Sequence, residues 1–175
     1  MVMIRHEIPA DVPAREHLLD RAFGKARRRK TSERLREGRV PAEGLAFTAV
    51  DEEGKLLGTL RLWNVEAGSA GPALLLGPLA VDCQAQNRGI GAAMMRHAMA
   101  EARMLGHNAI LLVGDAPYYA RFGFTRGLVK KLNLPGPVER ARFLGVELTP
   151  DALASAQGLV TGSGRPAGEA LKEAA

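Results

Sequence analysis

The chain has 175 residues, enough to bury one sizeable core, and a single domain with modest extensions accounts for that length better than two. Hydrophobic residues at 46% and charged residues at 25% match ordinary globular composition and exclude a disordered or fibrous chain. A formal net charge of +5 favours anionic partners in general, through a long-range attraction that salt weakens.

Residues 1–7 carry Arg5 but no apolar segment of signal-peptide length, which reads as a cytoplasmic chain. Residues 4–8 predict a first strand, ended by Pro9-Ala10-Asp11, with Asp11 offered as a helix cap. A helix follows to about Phe23; Leu18, Leu19, Ala22 and Phe23 suit one buried face, and Gly24 provides a stop. Next comes the sharpest basic cluster, Lys25, Arg27, Arg28, Arg29 and Lys30. No aromatic residues interleave it as on a base-stacking platform, so a solvated face is expected. A short helix is expected from Thr31 or Ser32 to Glu37.

Residues 45–50 and 56–65 read as strands joined by Asp51-Glu52-Glu53-Gly54, a composition that suits a hairpin turn and antiparallel pairing. Phe47, Leu62 and Trp63 on these strands are expected to pack in the core. Residues 73–81 form a nearly continuous apolar run, as expected of a central strand covered on both faces. Gly77-Pro78 interrupts this run, and proline donates no ladder hydrogen bond, so a bulge or local splaying is predicted there. The stretch is about half of what a bilayer crossing needs, which argues against a membrane span. The single cysteine, Cys83, allows no internal disulfide; a structural thiol, buried or half-buried, is expected.

From Gly89 to Leu105, the residues Ile90, Met94, Ala98, Ala102 and Leu105 recur at spacings of three or four, opposite Arg96 and Arg103. That spacing predicts an amphipathic helix, ended by Gly106. Residues 109–113 are the next strand, so residues 73–113 read as strand, loop, helix, strand, with the two strands parallel. Residues 117–122 suit a short helix, and further strands are expected near 128–132 and 143–148. The domain is placed at residues 1–150, followed by an extension over 151–175. Gly162-Ser163-Gly164-Arg165-Pro166 reads as flexible, and residues 169–175 can form a turn of helix. His6, His17, His97 and His107 show no ligand spacing, so no metal site is expected.

The segment Gln86-Asn87-Arg88-Gly89-Ile90-Gly91 lies between the buried strand and the amphipathic helix. At that position unpaired backbone N–H groups and the helix dipole point at whatever sits in front, which is the chemistry of an anion site. Glycine at 89 and 91 removes side chains that would block a phosphate, and Arg88 adds a positive charge nearby. A dinucleotide-binding fingerprint fits less well. Met94 is too bulky for its third glycine, and Gly89 stands eight positions after Val81. The P-loop pattern fails because no Gly-Lys-Ser/Thr follows.

Gln86-x-x-Gly89-x-Gly91 matches the Gln/Arg-x-x-Gly-x-Gly/Ala signature of the GNAT acetyltransferases, which this chain resembles over roughly residues 2–149. Leu79-Ala80-Val81-Asp82 precedes the signature at the family's usual spacing, and Tyr119-Ala120-Arg121-Phe122-Gly123-Phe124 follows like its Tyr-x-x-x-Gly-Phe block. Two positions depart from the pattern. Asn87 stands where many relatives have glycine, although asparagine tolerates left-handed backbone geometry; Cys83 stands where relatives often have proline.

The resemblance implies a mixed α/β (α+β) fold, with a mostly antiparallel central sheet, a splayed parallel strand pair and flanking helices. It also implies acetyl-CoA as acyl donor. Its pyrophosphate would rest on Gln86, Asn87, Arg88, Gly89, Ile90, Gly91 and Ala92, and its pantetheine arm would run along Leu79, Ala80 and Val81 like an added strand. Tyr119 would stand beside the sulfur as general acid. Tyr118 is expected to pack on the core.

The acceptor implied is a primary amine, small or polypeptide, entering past the first helices and residues 25–30. A basic approach suits an acidic acceptor better than a polycation. A neutral amine is needed for attack, and deprotonating one of lysine type at pH 7 costs roughly 4 to 5 kcal/mol. Asp115, Glu66 and ordered water are the candidate bases. Terminal strands in this fold leave a surface able to pair two subunits into a homodimer. Two other readings stand beside the transferase: an acyl-CoA-binding module without turnover, and a nucleic-acid binder using residues 25–30. The second predicts steeply salt-dependent binding that survives disruption of Gly89 and Gly91.

Overall fold

A computed structural model describes residues 1–169 of the chain. Strand β1 (Met3–His6) leads through a turn at Pro9–Asp11 into helix α1 (Val12–Phe23). Asp11 sits at the cap position but makes no capping bond to α1. Its carboxylate instead accepts from Arg5 and from the Ile8 amide, tying the turn back to β1. Gly24 takes a positive φ of 76° and ends α1, as expected. Lys25–Arg29 and Thr31–Leu35 follow as two tight 3-10 turns, the second standing where a short helix was expected.

Strands β2 (Ala46–Val50) and β3 (Leu56–Ala67) form the predicted antiparallel pair, and β4 (Pro72–Val81) lies antiparallel along the other edge of β3. Helix α2 (Ile90–Met104) then crosses to β5 (Ala109–Val113), which runs parallel to β4. After helix α3 (Ala116–Ala120) come the short β6 (Leu132–Asn133), then β7 (Phe143–Glu147) and β8 (Gly158–Gly162). The sheet order is β1-β2-β3-β4-β5-β7, mostly antiparallel, with β8 added beside β3 and β6. No helix among the described residues is long and apolar enough to cross a membrane.

Alternation along the central strands loads both faces of the sheet. Leu74, Leu76, Ile110 and Leu112 pack under Met94, Met95 and Ala98 of α2, while Leu75 and Leu111 join Trp63, Phe143 and Val160 on the opposite face. That two-sided burial is why residues 73–81 read as an unbroken apolar run. The stripe of α2 is buried from Ile90 to Ala102, whereas Leu105 lies beyond the helix and is exposed. Of the residues expected on the buried face of α1, Leu18 and Leu19 are buried under Ala80, but Ala22 and Phe23 are exposed.

Two expectations toward the C-terminus are corrected. Residues 128–132 are not one strand: the 3-10 turn Arg126–Val129 reaches into the segment, residues 130–131 turn, and only Leu132–Asn133 pairs. Gly162-Ser163-Gly164-Arg165-Pro166 is tied down rather than loose. β3 is longer than β2, and its unused edge at Val65, Glu66 and Ala67 pairs with β8. Beyond β8, Ser163 N donates to Asn64 O, Val40 N donates to Arg165 O, and Pro166 bridges Arg39. Paired backbone groups on an otherwise open edge account for the order there. The helical turn expected over residues 169–175 falls almost wholly outside the described residues.

The interruption of β4 decides where a site can form. β4 and β5 pair only at Leu74↔Ile110 and Leu75↔Leu111, then separate. On the other side, the β3–β4 register shifts between Leu60 and Leu62, opposite the Gly77–Pro78 step, whose peptide bond is cis. From Leu76 to Val81 the edge of β4 that faces β5 therefore has no strand partner. Trp63 holds the irregularity in place: its buried indole N–H donates to Gly77 O at 2.7 Å. Trp63→Phe is expected to strand that carbonyl and cost about 1–3 kcal/mol of stability, read from the denaturant midpoint.

Candidate active site

Two structures meet at the open edge of β4. The first is the approach to α2. Asp82 ends β4, and its buried carboxylate accepts from Gln84 N at 2.9 Å and from Arg21 at 3.2 Å, closing the turn Cys83–Ala85. The Gln84 amide is the main reason the Asp82 carboxyl titrates below its usual range, with Arg21 and Lys55 contributing. A depressed carboxylate pKa stabilises the fold fully above the ordinary value near 4, and the contribution is lost as pH falls through the depressed value. Asp82→Ala is expected to lower stability by about 1–2 kcal/mol at neutral pH, with a smaller difference from wild type in acid. Chemical denaturation at pH 7 and pH 3 checks both statements.

That turn faces Asp82 and Ala85 inward, which leaves Cys83 exposed, against the expectation of a buried or half-buried thiol. Gln86, Asn87, Arg88 and Gly89 are all exposed. The Gln86 amide reaches back to Val81 O at 3.5 Å. Asn87 adopts the left-handed conformation, φ 65°, that its side chain tolerates, and Gly89 follows at φ 76° as the first residue before α2. No side chain caps this helix, so the amides of Ile90, Gly91 and Ala92 face outward. A β-carbon at Gly89 would project into open space; one at Gly91 would lie 3.0 Å from the Tyr118 hydroxyl and 3.6 Å from Val81 Cγ2. The segment is thus a bare, positively polarised cradle with the open edge of β4 beside it.

The second structure is a cavity of about 430 Å³ in the gap between β4 and β5. Leu76, Gly77, Pro78 and Leu79 form one wall; Leu112, Val113, Gly114, Asp115, Tyr118 and Tyr119 form the facing one. Its outer rim is built from Phe23 at the end of α1, from Arg27, Lys30, Thr31 and Arg36 after it, and from Pro137, Val138, Glu139 and Arg142 before β7. The two rim segments are joined, since Thr31 Oγ1 donates to Pro137 O and Arg34 donates to Pro135 O at 2.6 Å. None of residues 86–92 lines this cavity.

Tyr119 is both packed and accessible. Its ring rests against the core beneath α2 and edges onto Tyr118 and Phe124 at centroid distances of 4.9 and 6.0 Å, while its surface lines the cavity. A β-carbon at Gly114 would stand 2.4 Å from Tyr119 Cε2, so the bare backbone at 114 is what admits the ring. Burial pushes the Tyr119 hydroxyl up to about 12, with Tyr118 and Asp115 adding to the shift and Arg142 opposing it. Tyr118, expected in the core, is instead half-buried, with its hydroxyl over Gly91 and Arg121 stacked on its ring at 4.4 Å. It bridges the cradle and the cavity, a position that spacing along the chain does not reveal.

Of the predicted strand residues, Leu79 lines the cavity, Val81 packs toward α2, and Ala80 is buried under α1. Of the candidate bases, Asp115 lines the cavity, but its carboxylate accepts from Tyr118 N at 3.0 Å to cap α3. Glu66 lies at the far end of β3, opposite Pro72 and Thr161, because the gap opens only beyond Leu76; it is not among the cavity residues. Glu139, which sequence reasoning missed, is the cavity's second carboxylate, brought there by the turn before β7. The basic cluster of residues 25–30 is not one solvated face either: Arg27 is buried between Glu16 and Asp20, and Lys30 turns over the Phe23 ring at the cavity rim.

Comparison with known proteins gives the same picture by an independent route. A family model described as an acetyltransferase (GNAT) domain matches residues 43–126. Over 160 residues the chain is 31% identical to the uncharacterised N-acetyltransferase YhbS of Escherichia coli K12, an alignment spanning 91% of this chain and 95% of that protein. The crystal structure of E. coli YhbS in complex with CoA superposes with a TM-score of 0.78 at 29% identity, covering 93% of this chain and 89% of that one. A GNAT family acetyltransferase from Brucella melitensis in complex with acetyl-CoA gives 0.67 at 26%, covering 93% and 96%. With its sheet, its one interrupted central strand and these relatives, the chain belongs to the GNAT family of acetyltransferases and is an acyltransferase.

Proposed function

We propose that this acyltransferase moves an acetyl group from acetyl-CoA to the nitrogen of a primary amine by direct attack, with Tyr119 acting on the departing sulfur. The observation that carries the reading is the junction of an uncapped α2 cradle, an unpaired β4 edge and a cavity lined by Tyr119. The residues present suit the donor. Amides of Asn87, Arg88, Gly89, Ile90, Gly91 and Ala92, with the Arg88 and Gln86 side chains, would hold the pyrophosphate. Backbone groups of Leu79, Ala80 and Val81 would receive the pantetheine arm as an added strand. Complexes of the E. coli and Brucella relatives with CoA and acetyl-CoA support this choice of donor.

Acetyl-CoA supplies the acyl group as a thioester. The amine nitrogen attacks the thioester carbonyl carbon; the C–N bond forms, the C–S bond breaks, and the nitrogen gives up one proton. Tyr119 donates a hydrogen bond, and then its proton, to the sulfur as negative charge develops there. Thiols titrate near 8.5, so a phenol at about 12 cannot fully protonate a free thiolate without an uphill step of about 5 kcal/mol. The transfer is therefore coupled to return of the nitrogen's proton to the tyrosinate, directly or through water. Glu139, with no side-chain partner among the described residues, is the carboxylate best able to take part in that return. A cytoplasmic setting accompanies this reading.

The test is acetyl-CoA-dependent thiol release in the presence of primary amines. Release that requires the amine and saturates in both substrates supports transfer; binding of acetyl-CoA without amine-dependent release supports a non-catalytic module instead.

A further inference from the structure

Building on the proposed transfer, we infer that the acceptor is a compact amine that also carries an anionic group, a carboxylate or a phosphate, seated against Lys30 and Arg142. These two residues come from turns more than a hundred residues apart in the chain, yet both line the cavity that holds Tyr119. They stand apart from the cradle, since no residue of 86–92 reaches that cavity.

Four cations line the cavity against two carboxylates, Asp115 and Glu139. Two of the four are already neutralised: Arg27 by Glu16 and Asp20, and Arg36 by Glu33 at 2.8 Å. Lys30 and Arg142 make no ion pair among the described residues, and the Lys30 ammonium has only the face of Phe23, 4.8 Å away. These cations feel one another. Burial chiefly, and to a lesser degree the charges of Arg142 and Arg36, pushes Lys30 below its ordinary value, and all three line the same cavity. Arg142 also acts electrostatically on Tyr119, so the anion site and the reacting end share one small volume.

Size narrows the acceptor further. At about 30 Å³ per water, a cavity of about 430 Å³ holds the equivalent of about fourteen waters, part of which the thioester end must take. What is left suits a small molecule with its amine at Tyr119 and Glu139 and its anion a few bonds away. An oppositely charged group binding there would relieve the repulsion between Lys30 and Arg142. A polycation would add to it.

The experiment compares kcat/KM for four amines of similar reach: butylamine, 4-aminobutyrate, 3-aminopropylphosphonate and 1,4-diaminobutane. Acetyl-CoA is the donor, and calorimetric titration of the wild type with acetyl-CoA runs alongside. One anionic amine is expected to exceed butylamine and the diamine by about tenfold or more. That ratio should fall toward one in Lys30→Met and Arg142→Leu, and shift toward the diamine in Arg142→Glu. A lead for 4-aminobutyrate assigns a carboxylate, and a lead for the phosphonate assigns a phosphate. Bound acetyl-CoA with no preference for the anionic amines, or with no turnover of any of them, overturns the inference and leaves the donor site standing. A wild type that does not bind acetyl-CoA removes the transfer reading beneath it.

Discussion

Tyr119→Phe should lower kcat about a hundredfold, the usual weight of a single general acid, while KM for acetyl-CoA moves far less. The argument rests on what phenylalanine keeps. The ring still fills the space that Gly114 leaves bare and still edges onto Tyr118 and Phe124, so only the hydroxyl is lost. A residue that merely packed would show the opposite pattern, with turnover preserved. pH sharpens the test. With its hydroxyl raised to about 12, Tyr119 stays protonated far above neutrality, and the wild-type rate should rise as the amine deprotonates without falling again below about pH 10. An alkaline decline centred well below that, present in the wild type and absent from Tyr119→Phe, would show a phenol that ionises too early for this role.

The Gly89→Glu, Gly91→Glu double variant should lose acetyl-CoA binding altogether. Gly89 holds φ 76°, where a side chain costs about 1–2 kcal/mol of backbone strain, and any side chain there projects into the space in front of the helix. At 91 even a β-carbon would crowd the Tyr118 hydroxyl at 3.0 Å. Two carboxylates at the positive end of α2 would then repel a pyrophosphate instead of receiving it. Calorimetry should show heat of binding for the wild type and none for the variant, with circular dichroism reporting that the variant is folded. Retained affinity in the folded variant would move the donor elsewhere on the protein. Salt-sensitive nucleic-acid binding that survived the same change would favour the basic cluster over the cradle.

What the sequence disclosed and what it withheld divide along the range of the forces involved. The run from Ala73 to Val113 was readable because its periodicities are local: two-sided burial of β4, a 3.6-residue stripe on α2, and Gly106 as the stop. The break in β4 was readable because proline lacks an N–H. Asn87 was readable as a left-handed position from its own side chain, and it has φ 65°. The cradle on α2 and the Tyr119 block could thus be located from short motifs.

Residues set by long-range packing were not legible. β8 joins the sheet only because β3 outruns β2, a difference in strand length that no local pattern encodes. Cys83 is outward because Asp82 and Ala85 take the inward positions of their turn. Lys30 and Arg27 sit three apart in one basic run and both reach the cavity rim, yet Arg27 is buried and neutralised by Glu16 and Asp20 while the Lys30 ammonium lies over the Phe23 ring. Arg36, Glu139 and Arg142 reach the cavity from segments about a hundred residues apart, held together by side-chain-to-backbone hydrogen bonds such as Thr31 Oγ1 to Pro137 O. Only the fold brings them to Tyr119.

The most direct test of the account follows the acyl group itself. The protein is incubated with acetyl-CoA deuterated in its acetyl methyl group and with a primary-amine acceptor, and thiol release and acceptor mass are measured together. The account predicts one labelled N-acetyl product for each thiol released, with both falling together in Tyr119→Phe. Thiol release accompanied only by labelled acetate, or no release from protein that binds the donor, would contradict it.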